Sequence, residues 1–256
     1  MTEIRRLTTL RALREAGGSH PVLRWDVGPS LLAPSYAVGE PGAGAVAYVR
    51  RGQSGAQGGA LLGTTDGIAL LLEDPDVREL VTHPEVTRVS APADAYDLVA
   101  DRLSLSQPSS WEWMWTRTAP APVPAEELIL RLGPDRKADL RTFLDLHNPR
   151  TFGQPYERPA QLWVGIQDTS GTLVACGCSE PNSAGVLHLA GITVDPAHRG
   201  QGLGSAVTAH LTREALVRGG VCTLGMYADN TTARRVYRRL GYLTAVTWTT
   251  GRPPGA

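Results

Sequence analysis

The segment Val194-Asp-Pro-Ala-His-Arg-Gly-Gln-Gly-Leu-Gly-Ser205 decides how this chain reads. Before it, the run 186–194 is apolar and strand-like. After it, Leu203, Val207, Leu211 and Ala215 recur at every fourth residue until the pair Gly219-Gly220. The pattern predicts a strand, a tight loop and a helix of about four turns closed by a left-handed glycine cap. Gly200, Gly202 and Gly204 permit positive φ and close approach of the backbone. The first amides of such a helix have no partners of their own, and the helix end carries partial positive charge, so the loop is suited to a phosphate. A P-loop would need Gly-Lys-Ser/Thr at the helix start, and a dinucleotide fingerprint Gly-x-Gly-x-x-Gly with a later acid; Arg199-Gly-Gln-Gly-Leu-Gly204 is neither.

Working outward, a strand is expected at 222–227, a short helix from Asn230 to Leu240 capped by Gly241, and a strand at 242–250. With the central loop this makes β-α-β-α-β and a right-handed crossover. Upstream, a strand at 127–132 precedes a helix from Asp135, whose Leu140, Phe143, Leu144 and His147 share a face until Asn148-Pro149 ends it. Strands at 162–166 and 173–177 flank the turn Asp168-Thr-Ser-Gly171, and the turn at 181–185 leads into the third antiparallel strand, 186–194. Thr118-Ala-Pro-Ala-Pro-Val-Pro-Ala125 reads as a semi-rigid linker. It separates an N-terminal unit, 1–117, from the unit 126–256. In the N-terminal unit, Leu7, Leu10 and Leu13 suggest an amphipathic helix, 22–27, 45–49 and 68–72 suggest strands, and 93–103 a helix entered through Pro92. The glycine-rich stretch 51–59 is expected to be a hairpin loop, followed by another strand and not by a helix.

The strand, the turn at Pro196 and the helix after it resemble the coenzyme A-binding segment of the GNAT superfamily of N-acyltransferases, whose Gln/Arg-x-x-Gly-x-Gly/Ala pattern is filled by Arg199, Gly202 and Gly204. The stretch Asn230-Thr-Thr-Ala233-Arg-Arg-Val-Tyr237-Arg-Arg-Leu-Gly241-Tyr242 resembles the family's second signature. The resemblance covers roughly 126–250. It implies an α/β fold with a mixed, mainly antiparallel sheet flanked by helices, preceded here by a smaller α/β domain, which is expected to be a degenerate copy without the cofactor loop. It further implies acetyl-CoA as co-substrate, held by Ile192, Thr193, Val194, Arg199, Gly200, Gln201, Gly202, Leu203, Gly204, Ser205, Asn230 and Ala233, and direct attack of an amine on the thioester.

Tyr237 is the candidate general acid, because a phenol with the usual pKa near 10 is protonated at neutral pH. Ala233, Val236, Tyr237 and Leu240 also form one apolar face, so a core role is the alternative. For the base, Val186 stands where many relatives carry glutamate; His188, two residues on, is the candidate, with Glu180 second. Arg234, Arg235, Arg238 and Arg239 place like charges at i, i+4, each pair costing roughly 0.2–0.5 kcal/mol unless an anion relieves it. The acceptor is expected to meet the loop 147–156. A non-catalytic acyl-CoA sensor is the alternative function.

The 256 residues carry 25 basic and 25 acidic side chains, so no long-range field draws in nucleic acid or an anionic membrane. No run approaches the 18 or so apolar residues of a membrane span, and Met1-Thr-Glu-Ile-Arg-Arg-Leu7 lacks a signal-peptide core. A cytoplasmic protein is expected, as monomer or homodimer. Cys176, Cys178 and Cys222 make no metal site and read as buried thiols.

Overall fold

The computed structural model describes residues 3–52 and 55–255; Met1 and Thr2 of the N-terminal stretch, Gln53 and Ser54 of the glycine-rich loop, and Ala256 lie outside them. The first half runs β1 (Arg5–Leu7), α1 (Leu10–Ala16), α2 (Pro21–Trp25), β2 (Ser35–Val38), β3 (Ala45–Arg51), β4 (Gln57–Gly63), α3 (Thr65–Leu71), α4 (Pro75–Thr82), β5 (Val86–Pro92), α5 (Tyr96–Leu103) and β6 (Ser106–Thr116). The second runs β7 (Leu130–Leu132), α6 (Lys137–His147), β8 (Leu162–Gln167), β9 (Leu173–Pro181), β10 (Leu187–Val194), α7 (Leu203–Gly219), β11 (Cys222–Tyr227), α8 (Thr231–Arg239) and β12 (Leu243–Arg252).

All twelve strands join one sheet in the order β1-β2-β3-β4-β5-β12-β6-β11-β10-β9-β8-β7. The arrangement reads alike from both ends. β4 with β5 and β10 with β11 are parallel, and the other pairs are antiparallel. At the centre the halves interlock: β6 lies between β11 and β12, and β12 between β5 and β6. This is the mixed, mainly antiparallel sheet the sequence predicts.

Alternation along the strands sends side chains to two layers. On one face α1 and α2 bury Leu13, Val22 and Leu23 with Trp113 and Trp248, and α6 buries Leu140, Phe143 and Leu144 with Trp163, Cys176 and Cys178. On the other, α3, α4 and α5 pack Ile68, Val77 and Val99 on Val89 and Ala91, while α7 packs Val207, Leu211 and Ala215 on Ile166 and Leu224. Gly177 lets α7 settle against the sheet, since a Cβ there would stand 2.7 Å from the Val207 Cγ1.

The second half follows its sequence closely, except that the expected strand at 127–132 begins only at Leu130. Pro124 opens a 3₁₀ turn to Leu128, in which the Glu126 carboxylate accepts from the Val123 amide at 2.6 Å. The linker runs extended and is pinned to α7, where Arg213 donates to the Pro120 carbonyl at 3.2 Å and pairs with Glu126.

The first half needs more correction. Leu7 ends a strand, so the helix begins at Leu10 under a Thr9 cap. The expected strand at 22–27 is α2, because Pro21 sits at its first position and His20 caps it. The expected strand at 68–72 is α3, capped by the Thr64 hydroxyl, which accepts from the Gly67 amide at 3.2 Å. The hairpin between β3 and β4 is as expected, yet a helix does follow, one strand later.

Candidate active site

The β10–β11 ladder holds only two pairs, His188 with Thr223 and Leu189 with Leu224. Beyond them Gly191, at φ +65°, carries a bulge that takes β10 from the Ala190–Cys178 pair to the Thr193–Cys176 pair. The strands therefore splay. Their unpaired edges open a cleft leading to the loop the sequence singled out.

In that loop Asp195 accepts from the Ala197 amide at 3.0 Å and holds the His198 ring at 2.9 Å, fixing a single 3₁₀ turn. Gly200 and Gly202 both stand at φ +80° with open space where a Cβ would go. α7 starts at Leu203 with no side-chain cap, and its first turn bonds Ala206 to the Gly202 carbonyl. Among the described residues the amides from Gly200 to Ser205 find no acceptor. Ser205 is buried, and its hydroxyl accepts from the Arg239 guanidinium at 3.4 Å, which brings α8 beside this turn.

On α8, Asn230 caps the helix by accepting from the Ala233 amide at 3.0 Å. Its other expected role, in cofactor contact, would fall to the amide nitrogen. Tyr237, two turns on, is 7% exposed, and burial pushes its phenol up to about 12. Its hydroxyl makes no hydrogen bond among the described residues. The arginines of α8 are relieved unequally: Arg234 is tied to Glu112 of β6 and to the Ala228 carbonyl, while Arg239 turns to Ser205.

The loop after α6 spans the mouth of the cleft. Asn148 donates to the Thr193 hydroxyl at 3.0 Å, and the Tyr227 hydroxyl donates to the Arg150 carbonyl at 3.1 Å. Arg150 also lies 3.9 Å over the Tyr227 ring and pairs with Asp229 at 2.9 Å. Phe152, exposed, stacks near Tyr227.

His188 faces the layer of α6, 7% exposed, with Nδ1 3.1 Å from the Thr223 hydroxyl. Burial lowers its pKa; the carboxylates of Asp26 and Glu180 oppose this, and Arg50 and Arg158 reinforce it. Glu180, opposite His188 in the ladder, is 2% exposed and already accepts from Arg158 at 2.6 and 3.0 Å and from Gln161 at 2.5 Å. Both of its oxygens are thus already taken up by these donors.

The first half supplies the opposite wall. Asp26 pairs with Arg50, whose guanidinium lies 5.6 Å from the Trp111 ring. The β9–β10 turn is fastened there, with Asn182 donating to the Trp25 carbonyl at 2.7 Å and Ser183 to the Asp26 carbonyl at 2.8 Å. At the equivalent place in the first half, β4 and β5 keep four ladder pairs, and Thr64 serves the start of α3. No glycine loop precedes that helix.

Ile192, Thr193 and Val194 thus end β10 next to the 199–205 loop, α8 with Asn230, Ala233 and Tyr237 is tied to that loop through Arg239 and Ser205, and His188 stands earlier on β10, at the last stretch still laddered to β11. Sequence reading missed Thr223 and Trp111, and placed Asn148 only within the 147–156 loop expected at the acceptor. Asn148 had a signal, but it reads equally well as a helix stop; Trp111 lies before the linker and reaches the site only through strand exchange. Among the described residues no group of three or more His, Cys, Asp or Glu is placed to hold a metal, and no helix is long and apolar enough to cross a membrane. The three cysteines are buried and free.

A family model described as the acetyltransferase (GNAT) family matches residues 126–242. A mycothiol acetyltransferase of Mycolicibacterium gilvum (strain PYR-GCK) is 33% identical over 96 residues, 35% of this chain and 32% of that protein. The match thus spans about a third of that relative. Among solved structures, a GCN5-related N-acetyltransferase from Sphaerobacter thermophilus superposes with a TM-score of 0.54 at 18% identity, covering 99% of this chain and 97% of the other. One from Kribbella flavida gives 0.52 at 17% identity, covering 98% and 97%. At such identities the likeness is one of fold.

Proposed function

Because residues 126–242 match the model of the acetyltransferase (GNAT) family, we propose that the chain moves an acyl group, in the simplest case acetyl, from a coenzyme A thioester to a primary amine in a ternary complex. The single observation that carries this is the row of unbonded amides from Gly200 to Ser205 at the end of an open strand splay, with the free phenol of Tyr237 on the adjoining helix. The amides and the α7 dipole receive the phosphates. The edges of β10 and β11 leave room for the pantetheine arm, and the loop from Asn148 closes over the amine.

In the step itself the amine lone pair attacks the thioester carbonyl carbon and the C–S bond breaks. Tyr237 gives its proton to the departing sulfur, and the nitrogen loses a proton to His188, directly or through one water. With the Thr223 hydroxyl proton directed to the Leu187 carbonyl at 3.5 Å, Nδ1 is the protonated nitrogen and Nε2 carries the lone pair. Alignment supplies most of the acceleration.

Residues 1–117 are a degenerate copy of the unit 126–256, joined through the linker 118–125; the mirrored strand order supports this, as does the absence of a glycine loop before α3. Calorimetry with acetyl-CoA tests the donor, and no binding up to low-millimolar concentration would sink the proposal. The second reading, a non-catalytic acyl-CoA sensor, is favoured by Val186 and by the occupied carboxylate of Glu180. Amine-dependent release of free thiol separates enzyme from sensor.

A further inference from the structure

Gly225 is exposed on β11, whereas its chain neighbours Leu224 and Met226 and its ladder partner Trp113 are buried. It lies on an interior strand. The exposure arises because Leu189–Leu224 is the last pair with β10, making Gly225 the first β11 residue past the splay. The fold does not demand glycine here, for its φ is not among the positive ones. A Cβ would meet the Trp111 ring at 3.6 and 3.7 Å and the His188 Cε1 at 4.0 Å, all ordinary contact distances. What glycine leaves is a methyl-sized notch, walled by an indole and an imidazole, at the point where the thioester must lie for the proposed attack.

We infer that this notch is the end of the acyl pocket and that Gly225 fits the protein to short acyl-CoA thioesters one methylene longer than acetyl. The inference rests on the acyl-transfer reading above and names its donor class. A propionyl group would place its terminal methyl against Trp111, whose half-buried indole offers an apolar surface. Burying one methylene strengthens binding roughly fourfold. An alanine at 225 would fill the same space, and excluding one methylene from a fitted apolar pocket costs on the order of tenfold or more.

The test is calorimetric titration of the full chain and of Gly225→Ala with coenzyme A, acetyl-CoA, propionyl-CoA and butyryl-CoA. The wild type is expected to bind propionyl-CoA about fourfold more tightly than acetyl-CoA. Gly225→Ala is expected to weaken propionyl-CoA about tenfold and leave acetyl-CoA and coenzyme A within twofold. Wild-type preference for acetyl-CoA overturns the inference without any variant, and so does an equal loss of all four ligands in Gly225→Ala. Absence of binding by all four would instead remove the acyl-transfer reading, and the notch with it.

Discussion

Tyr237 keeps its proton because water has been taken from around it. With the phenol raised to about 12 by burial, the acid form persists across the whole physiological range. Tyr237→Phe is expected to retain acetyl-CoA affinity within about twofold and to lose turnover by about 10²–10⁴-fold, as removal of a general acid does; calorimetry and single-turnover kinetics check the two halves of this. His188 titrates in the opposite sense. Burial depresses it below the usual 6.5, so the neutral base is present at pH 7 and is lost only as pH falls through the lowered value. The acid limb of kcat/KM is therefore expected below pH 6.5, and His188→Gln should abolish that limb along with most activity. The sequence offered both as candidates, the proposed acid by spacing and the proposed base by strand alternation. Thr223, proposed to select its tautomer, was not among them, because nothing in the sequence announces that β10 and β11 meet at that pair.

At the scale of elements, the glycine loop works through backbone geometry. Gly202 caps α7 in the left-handed conformation, where a β-branched residue costs about 1–2 kcal/mol. Gly202→Val is expected to weaken acetyl-CoA at least tenfold while far-UV circular dichroism stays unchanged, since the space around the residue is open. The elements of the second half could be read because α7 is 17 residues long and its strands alternate with clear turns. Those of the first half could not. α2 has five residues, too few for a helical period to show, and β4, Gln57-Gly-Gly-Ala-Leu-Leu-Gly63, hides its strand behind glycines. What distinguished α2 and α3 from strands was capping at His20 and Thr64, which weighs more in short helices than periodicity does.

For the whole molecule, the decisive fact is the exchange of β6 and β12. A fragment of residues 118–256 lacks the strand that joins β11 to β12, so it is expected to aggregate or remain unfolded, as size-exclusion chromatography and circular dichroism would reveal. The intact chain is expected to bind one acetyl-CoA, because the first half keeps β4 and β5 laddered and caps α3 with Thr64; a calorimetric stoichiometry of two would contradict this. The exchange was out of reach from sequence, since hydrophobic alternation marks a strand without naming its neighbour.

The strand exchange also sets an order of assembly. A nascent chain that has emerged as far as α8 holds two partial sheets whose inner edges, β5 on one and β6 on the other, are still bare. Neither can close on its own, and both close together when β12 enters between them. Contacts so distant along the chain form late. The cleft and the Trp111 wall that faces it thus become a single body only when the last strand arrives, so a chain interrupted before Leu243 would hold the cofactor loop complete and still have no finished site.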